Sequence, residues 1–203
     1  MTSTGRVEAF SDGVLAIAIT LLVLDLRVPP RDGGHASLAH QLAHEWPSYA
    51  AYVTSFLVIG IIWINHHAVF QLIGRVDRAL LFVNLILLMF VAAIPFTTSL
   101  LAEYLTAGRD ARVAAVVYSG VMLAMAIAFS VLYLWAALHP QLLRDGIDPA
   151  AVRASVPRFT AGTAIYLATV GVALLSAPLC LAVHFLLAMY YSFQQLAGGR
   201  RAG

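Results

Sequence analysis

Arg6-Val7-Glu8-Ala9-Phe10-Ser11-Asp12-Gly13 runs directly into Val14-Leu15-Ala16-Ile17-Ala18-Ile19-Thr20-Leu21-Leu22-Val23-Leu24-Asp25. The second half is apolar enough to enter a bilayer, and it carries Asp12 in with it. A carboxylate inside a spanning helix costs on the order of 2.5–3.5 kcal/mol on insertion scales, so Asp12 is expected to face protein or water rather than lipid. On a helical projection Ile17, Leu21 and Leu24 share one face with Thr20 at its edge, while Asp12 points about 140° away from Ile17. The stretch predicts a helix with an aliphatic stripe and, to the side of it, an acid that needs a partner on a neighbouring helix.

The rest of the chain supports a membrane setting. Of its 203 residues 61% are hydrophobic and 11% charged, against about 25% charged in a typical soluble domain. The mean hydropathy is +0.86. All basic residues are arginine, and a formal net charge of +2 spread along the chain makes no nucleic-acid footprint. The lone Cys180 rules out an intrachain disulfide and reads as a packing residue. Arg6 ahead of an apolar run resembles the start of a secretory signal, but Glu8 and Asp12 interrupt the approach and no small-residue cleavage site follows, so the segment reads as a retained helix.

A span needs roughly 20 apolar residues, and six stretches qualify, near 7–27, 47–73, 78–103, 112–138, 157–176 and 178–196. The first break, Val28-Pro29-Pro30-Arg31-Asp32-Gly33-Gly34, is turn chemistry, and Asp145 to Pro149 marks a second break followed by a helix restart. Ser176-Ala177-Pro178 leaves almost no connector between the last two stretches, which predicts a tight hairpin. The reading is all-α: one polytopic membrane domain over 1–203, with six transmembrane helices per subunit. With both termini cytoplasmic, Arg6, Arg75, Arg78, Arg144, Arg153, Arg158, Arg200 and Arg201 lie inside and Arg27, Arg31, Arg109 and Arg112 outside, which satisfies the positive-inside tendency. Trp46, Tyr49 and Tyr52 suit an interfacial belt, Pro95 a kink in the third span, and Asp25 a local pairing with Arg27.

The second span contains Trp63-Ile64-Asn65-His66-His67. Two histidines, an asparagine and an indole within an apolar span all need hydrogen-bond partners. Asp12, Ser11 and, in the third span, Asn84 are the natural candidates, and such groups would knit the first three spans together. A metal site at His66 and His67 is disfavoured, because adjacent residues on a helix point about 100° apart. Histidine protonation offers a route to pH sensing through a network containing Asp12.

Arg6, Phe10-Ser11-Asp12, Ala16-Ile17 and Thr20-Leu21 together resemble the first-helix signature of the TMEM175 potassium channels, and Trp63, His66 and His67 resemble that family's second helix. The resemblance implies a homotetrameric cation channel in the cell membrane. Its K+ pathway is lined by the first helix of each subunit, without the Thr-Val-Gly-Tyr-Gly filter of ordinary potassium channels. By position it implies Ile17 at the main constriction, Leu21 and Leu24 as outer apolar layers, and Thr20 as a hydroxyl near the ion. It implies no cofactor and no metal beyond K+ in transit. The alternative is a proton-coupled exchanger using Asp12, His66 and His67 as a relay. An enzyme is disfavoured because Ser11, Asp12 and the histidines match no hydrolase or metalloprotease motif.

Overall fold

A computed structural model describes residues 4–30 and 37–199, with the side chains of the last helix described as far as Phe193. Within them the chain is helical: α1 (Thr4–Leu21), α2 (Leu38–His44), α3 (Trp46–Leu72), α4 (Arg78–Tyr104), α5 (Arg109–Leu138), α6 (Pro149–Leu175) and α7 (Ala177–Gly199). Five of these are long and apolar enough to cross a membrane: α1 with its 3-10 extension, α3, α4, α5 and α6. The apolar part of α7, Ala177–Phe193, is shorter. Part of the first turn segment, including Arg31, and the terminal Arg200 and Arg201 lie outside the described residues.

The first helix differs in detail from its expected form. It is α-helical only to Leu21, continues as a 3-10 turn over Leu22–Asp25, and leaves helical geometry at Leu26, where ψ is 106°. Leu24 is therefore on the 3-10 segment and does not follow the α-helical projection. Arg27 pairs with Glu103 of α4 at 3.5 Å. The expected local pairing of Asp25 with Arg27 gives way to this contact because the extended backbone at Leu26 swings Arg27 across to α4.

α2 was not legible in the sequence; Ser37 caps it by accepting from the His40 amide. α6 begins well before 157, because Asp148 caps its first turn at the Ala150 amide and Pro149 fits the first helical position. A single extended residue, Ser176, separates α6 from α7, which gives the predicted tight hairpin.

α5 packs most extensively on α4 and α6, while α1 lies against α3 and α4. α1 does so through Val7, Ser11, Leu15, Ala18 and Leu22, all buried and spaced three or four residues apart. At the end of the bundle that holds the α3–α4 and α5–α6 connectors, backbone hydrogen bonds join the two. Gly74 and Arg75 donate to the Leu142 carbonyl at 2.9 and 3.1 Å, and Arg144 donates to the Leu72 carbonyl at 2.9 Å. Asp77 serves two helices there: one oxygen caps the Leu80 amide at 2.7 Å and the other accepts from the Trp135 indole at 3.1 Å.

Candidate functional site: the polar junction and the outward stripe of the first helix

α1 presents two unlike faces, and each has to be satisfied differently. On the buried side, Ser11 is fully enclosed and accepts a hydrogen bond from Asn84 Nδ2 of α4 at 3.0 Å. Asn84 Oδ1 in turn meets His66 Nε2 of α3 at 2.9 Å. Both partners are buried, and the His66 ring stacks on Phe70 with centroids 4.4 Å apart. Since the Asn84 oxygen only accepts, His66 carries its proton on Nε2 in this arrangement. Asp12 accepts from the Trp63 indole at 3.0 Å, a second link between α1 and α3. Each group thus finds a partner on another helix, and the cost of placing amide, imidazole and carboxylate at membrane depth is offset by the bonds that hold α1, α3 and α4 in one register.

The structure brings Ser11, Asp12, Trp63, His66 and Asn84 together and places the other candidates elsewhere. His67 is exposed, stacks against Trp63, and bonds Gln71 one turn further along its own helix. Asn65 lines a cavity between α3, α5, α6 and α7. Arg6 and Phe10 are exposed on α1. A second interior cluster was not anticipated from the sequence: Ser55 of α3 bonds both Thr98 of α4 at 2.7 Å and Tyr118 of α5 at 3.0 Å. All three are buried. Mid-span hydroxyls on three consecutive long helices were the signal available for it.

The other face of α1 has no partner among the described residues of the chain. Ile17 is 61% exposed, Leu21 42% and Leu24 74%. Thr20 is also exposed, and its hydroxyl lies 2.9 Å from both the Ala16 and Ile17 carbonyls. Its single proton is committed to those carbonyls, which leaves the oxygen lone pairs directed away from the backbone and able to meet a cation. At the far end of α1 a cavity of about 320 Å³ is lined by acids from three segments, Asp25, Glu45 and Glu103. Among the described residues no group of three or more histidine, cysteine or acidic side chains could hold a metal ion.

These features define a multi-pass helical membrane protein whose first helix is bonded into the bundle on one side and bare on the other. Comparison with known proteins narrows this. Residues 6–95 match the family model described as endosomal/lysosomal potassium channel TMEM175, a span that holds α1, α3 and the Asn84 half of α4. A potassium channel of Streptomyces collinus is 57% identical over 97% of this chain and 95% of its own length. A potassium channel of Chamaesiphon minutus is 44% identical over 97% of both chains. The crystal structure of a lysosomal potassium-selective channel TMEM175 homolog from Chamaesiphon minutus superposes with a TM-score of 0.82 at 43% identity, covering 94% of this chain and 97% of that one. The chain belongs to the TMEM175 family. These relatives and the structural neighbour are ion channels, not enzymes.

Proposed function

We propose that this protein is a potassium channel, a homotetramer in which four copies of α1 surround the K+ pathway. The observation that carries the reading is the unpartnered stripe of Ile17, Thr20, Leu21 and Leu24, which lies to the side of a face already satisfied by α3 and α4. An aliphatic stripe alone would fit lipid equally well. In a family whose bacterial relatives of this chain are named potassium channels it is the surface available for lining a pore. With α7 as a sixth crossing and both termini cytoplasmic, the arginine-rich connectors around Arg75, Arg78 and Arg144 face the cell interior, in keeping with the positive-inside tendency.

A ring of four Ile17 side chains closes such a pore by excluding water, and a modest rotation or displacement of α1 reopens it. Thr20, one turn further on, offers the oxygen nearest the narrowing. Arg6 and Phe10 belong to the family signature and have no side-chain partner among the described residues, which suits contacts between subunits. A proton-coupled exchanger needs Asp12 and the histidines in series. Asp12 is instead taken by Trp63 and His66 by Asn84, while His67 bonds within its own helix.

The deciding experiment is K+ and Na+ flux from proteoliposomes holding the wild type or Ile17→Asn. Passive K+-preferring flux is expected from the wild type with no counter-substrate. The polar substitution should raise the flux or erode the preference. Flux that requires a proton gradient or an exchanged ion would replace this reading with the exchanger.

A further inference from the structure

A cavity of about 570 Å³ opens among α3, α5, α6 and α7, and no described residue of α1 lines it. Its walls are largely apolar, with Ile62, Met125 and Phe129 among them, and its size falls within the range of about 300–1,000 Å³ common to ligand sites. One charged residue lines it, Arg158, beside the phenol rings of Tyr190 and Tyr191. No acid does. Among the described residues Arg158 has no ion pair or hydrogen bond. Gly162 lines the same space, and a Cβ added there would meet nothing within 4 Å.

The depth of Arg158 restricts what can reach it. α6 has 27 residues, so it is about 40 Å long and exceeds a hydrocarbon core of about 30 Å. Arg158 is the last charged residue of α6, and the uncharged run that follows it, residues 159–175, has 17 residues, about 26 Å along the axis and close to the thickness of the hydrocarbon core, so Arg158 stands at the boundary between headgroups and hydrocarbon on the side of the α5–α6 connector. There a guanidinium meets phosphate while the apolar walls meet an acyl chain. A zwitterionic headgroup would bring its own cation into a lining that offers no carboxylate to receive it; an anionic one would not.

We propose that this cavity is a binding site for an anionic phospholipid of that leaflet, with its phosphate on Arg158 and an acyl chain between α3, α5 and α6. The lipid supplies the counterion that the chain omits, and it fills the space that Gly162 leaves open.

The test is native mass spectrometry of the purified full chain in detergent, equilibrated with equal amounts of phosphatidylglycerol and phosphatidylcholine. The wild type should retain phosphatidylglycerol in preference by about five-fold, the scale of one arginine contact with an anionic surface. Arg158→Gln should abolish the preference and Arg158→Lys should keep most of it. Gly162→Phe should reduce retention of both lipids by filling the cavity, whereas Arg112→Gln, at the other end of α5, should change nothing. Four results would each overturn the proposal. These are equal retention of the two lipids by the wild type, an unchanged preference in Arg158→Gln, undiminished retention in Gly162→Phe, and displacement of phosphatidylglycerol by an equal concentration of inorganic phosphate. Arg158→Gln should still retain phosphatidylcholine as the wild type does, which separates loss of the preference from misfolding.

Discussion

Asn84 donates to the hydroxyl of Ser11 across 3.0 Å, and both residues are closed off from solvent. The same amide meets His66, so one side chain joins α1 to α3 through α4. Replacing it with leucine leaves two buried polar groups without their partner. The price of an unsatisfied buried group is about 1–3 kcal/mol in general, but the unfolded chain in a membrane also finds partners, and measured interhelical bonds average about 0.6 kcal/mol. Asn84→Leu is therefore expected to destabilise by about 1–3 kcal/mol in all, read as a lowered midpoint in detergent unfolding. An unchanged midpoint would mean the junction contributes no stability.

The two faces of α1 should respond differently to substitution. Ala18 is 2% exposed, against 42% for Leu21. Ala18→Leu forces extra volume between α1 and its neighbours and should cost about 1–3 kcal/mol. Leu21→Ala, at a half-exposed position, removes fewer contacts within the subunit and should cost its stability less than Ala18→Leu does, while altering K+ flux. The reverse pattern, with a silent Ala18→Leu and a strongly destabilised Leu21→Ala subunit, would assign the faces the other way round.

Gly74 is fixed by close approach rather than by its own dihedral angles, since a Cβ there would stand 3.0 Å from the Arg144 Cα. Backbone cannot step aside as a flexible side chain can. Gly74→Ala is expected to destabilise by about 1–3 kcal/mol. Gly120, inside α5 with open space around its absent Cβ, should accept alanine with no loss and a gain of up to about 1 kcal/mol. Paired thermal-unfolding curves of the two variants test this directly, and equal effects would contradict it.

Asp77 caps α4 and also receives the Trp135 indole. Asparagine keeps an acceptor for the Leu80 amide, so Asp77→Asn should be mild. Asp77→Ala removes the cap, worth about 0.5–2 kcal/mol, together with the indole bond. Alanine should therefore exceed asparagine in unfolding assays, and two equal losses would show that charge rather than bonding is what matters at this position.

Arg27 and Glu103 meet at 3.5 Å with side chains 76% and 60% exposed. Such pairs contribute about 0–1 kcal/mol and weaken with salt. Arg27→Gln should shift the unfolding midpoint only slightly at physiological ionic strength. A large shift that persists in high salt would indicate a contact the isolated subunit lacks.

Hydropathy made the long helices legible, because a continuous apolar run bounded by turn residues has few other solutions. The groups of the polar junction were also nameable, since an asparagine, an acid and a histidine within spans have to be satisfied somewhere: Asn84 and His66 on each other, Asp12 on Trp63. Hydroxyls were not. Thr54 bonds back to the Ala50 carbonyl at 2.7 Å, whereas its neighbour Ser55 reaches across to Thr98 and Tyr118. Nothing in the sequence separates the two, because a serine or threonine can satisfy itself on its own helix. His67 falls outside the junction for a related reason: the step of about 100° from His66 turns it to the exposed side of α3, where Gln71 one turn on supplies its partner. The pairing of Arg27 was hidden because it depends on where α1 stops, and the change from α to 3-10 geometry at Leu22 leaves no mark in an unbroken aliphatic run.

The backbone bonds between the Leu72–Arg75 and Leu142–Arg144 segments have a kinetic consequence. Connectors between membrane helices ordinarily exchange their amide hydrogens early, being wet and unpaired. Here the amides of Gly74, Arg75 and Arg144 are tied to carbonyls on the opposite connector, so their deuterium uptake is coupled. The two hairpins on either side of that clasp have to separate before any of the three can exchange. A motion that leaves these amides protected must therefore carry α3, α4, α5 and α6 as one frame.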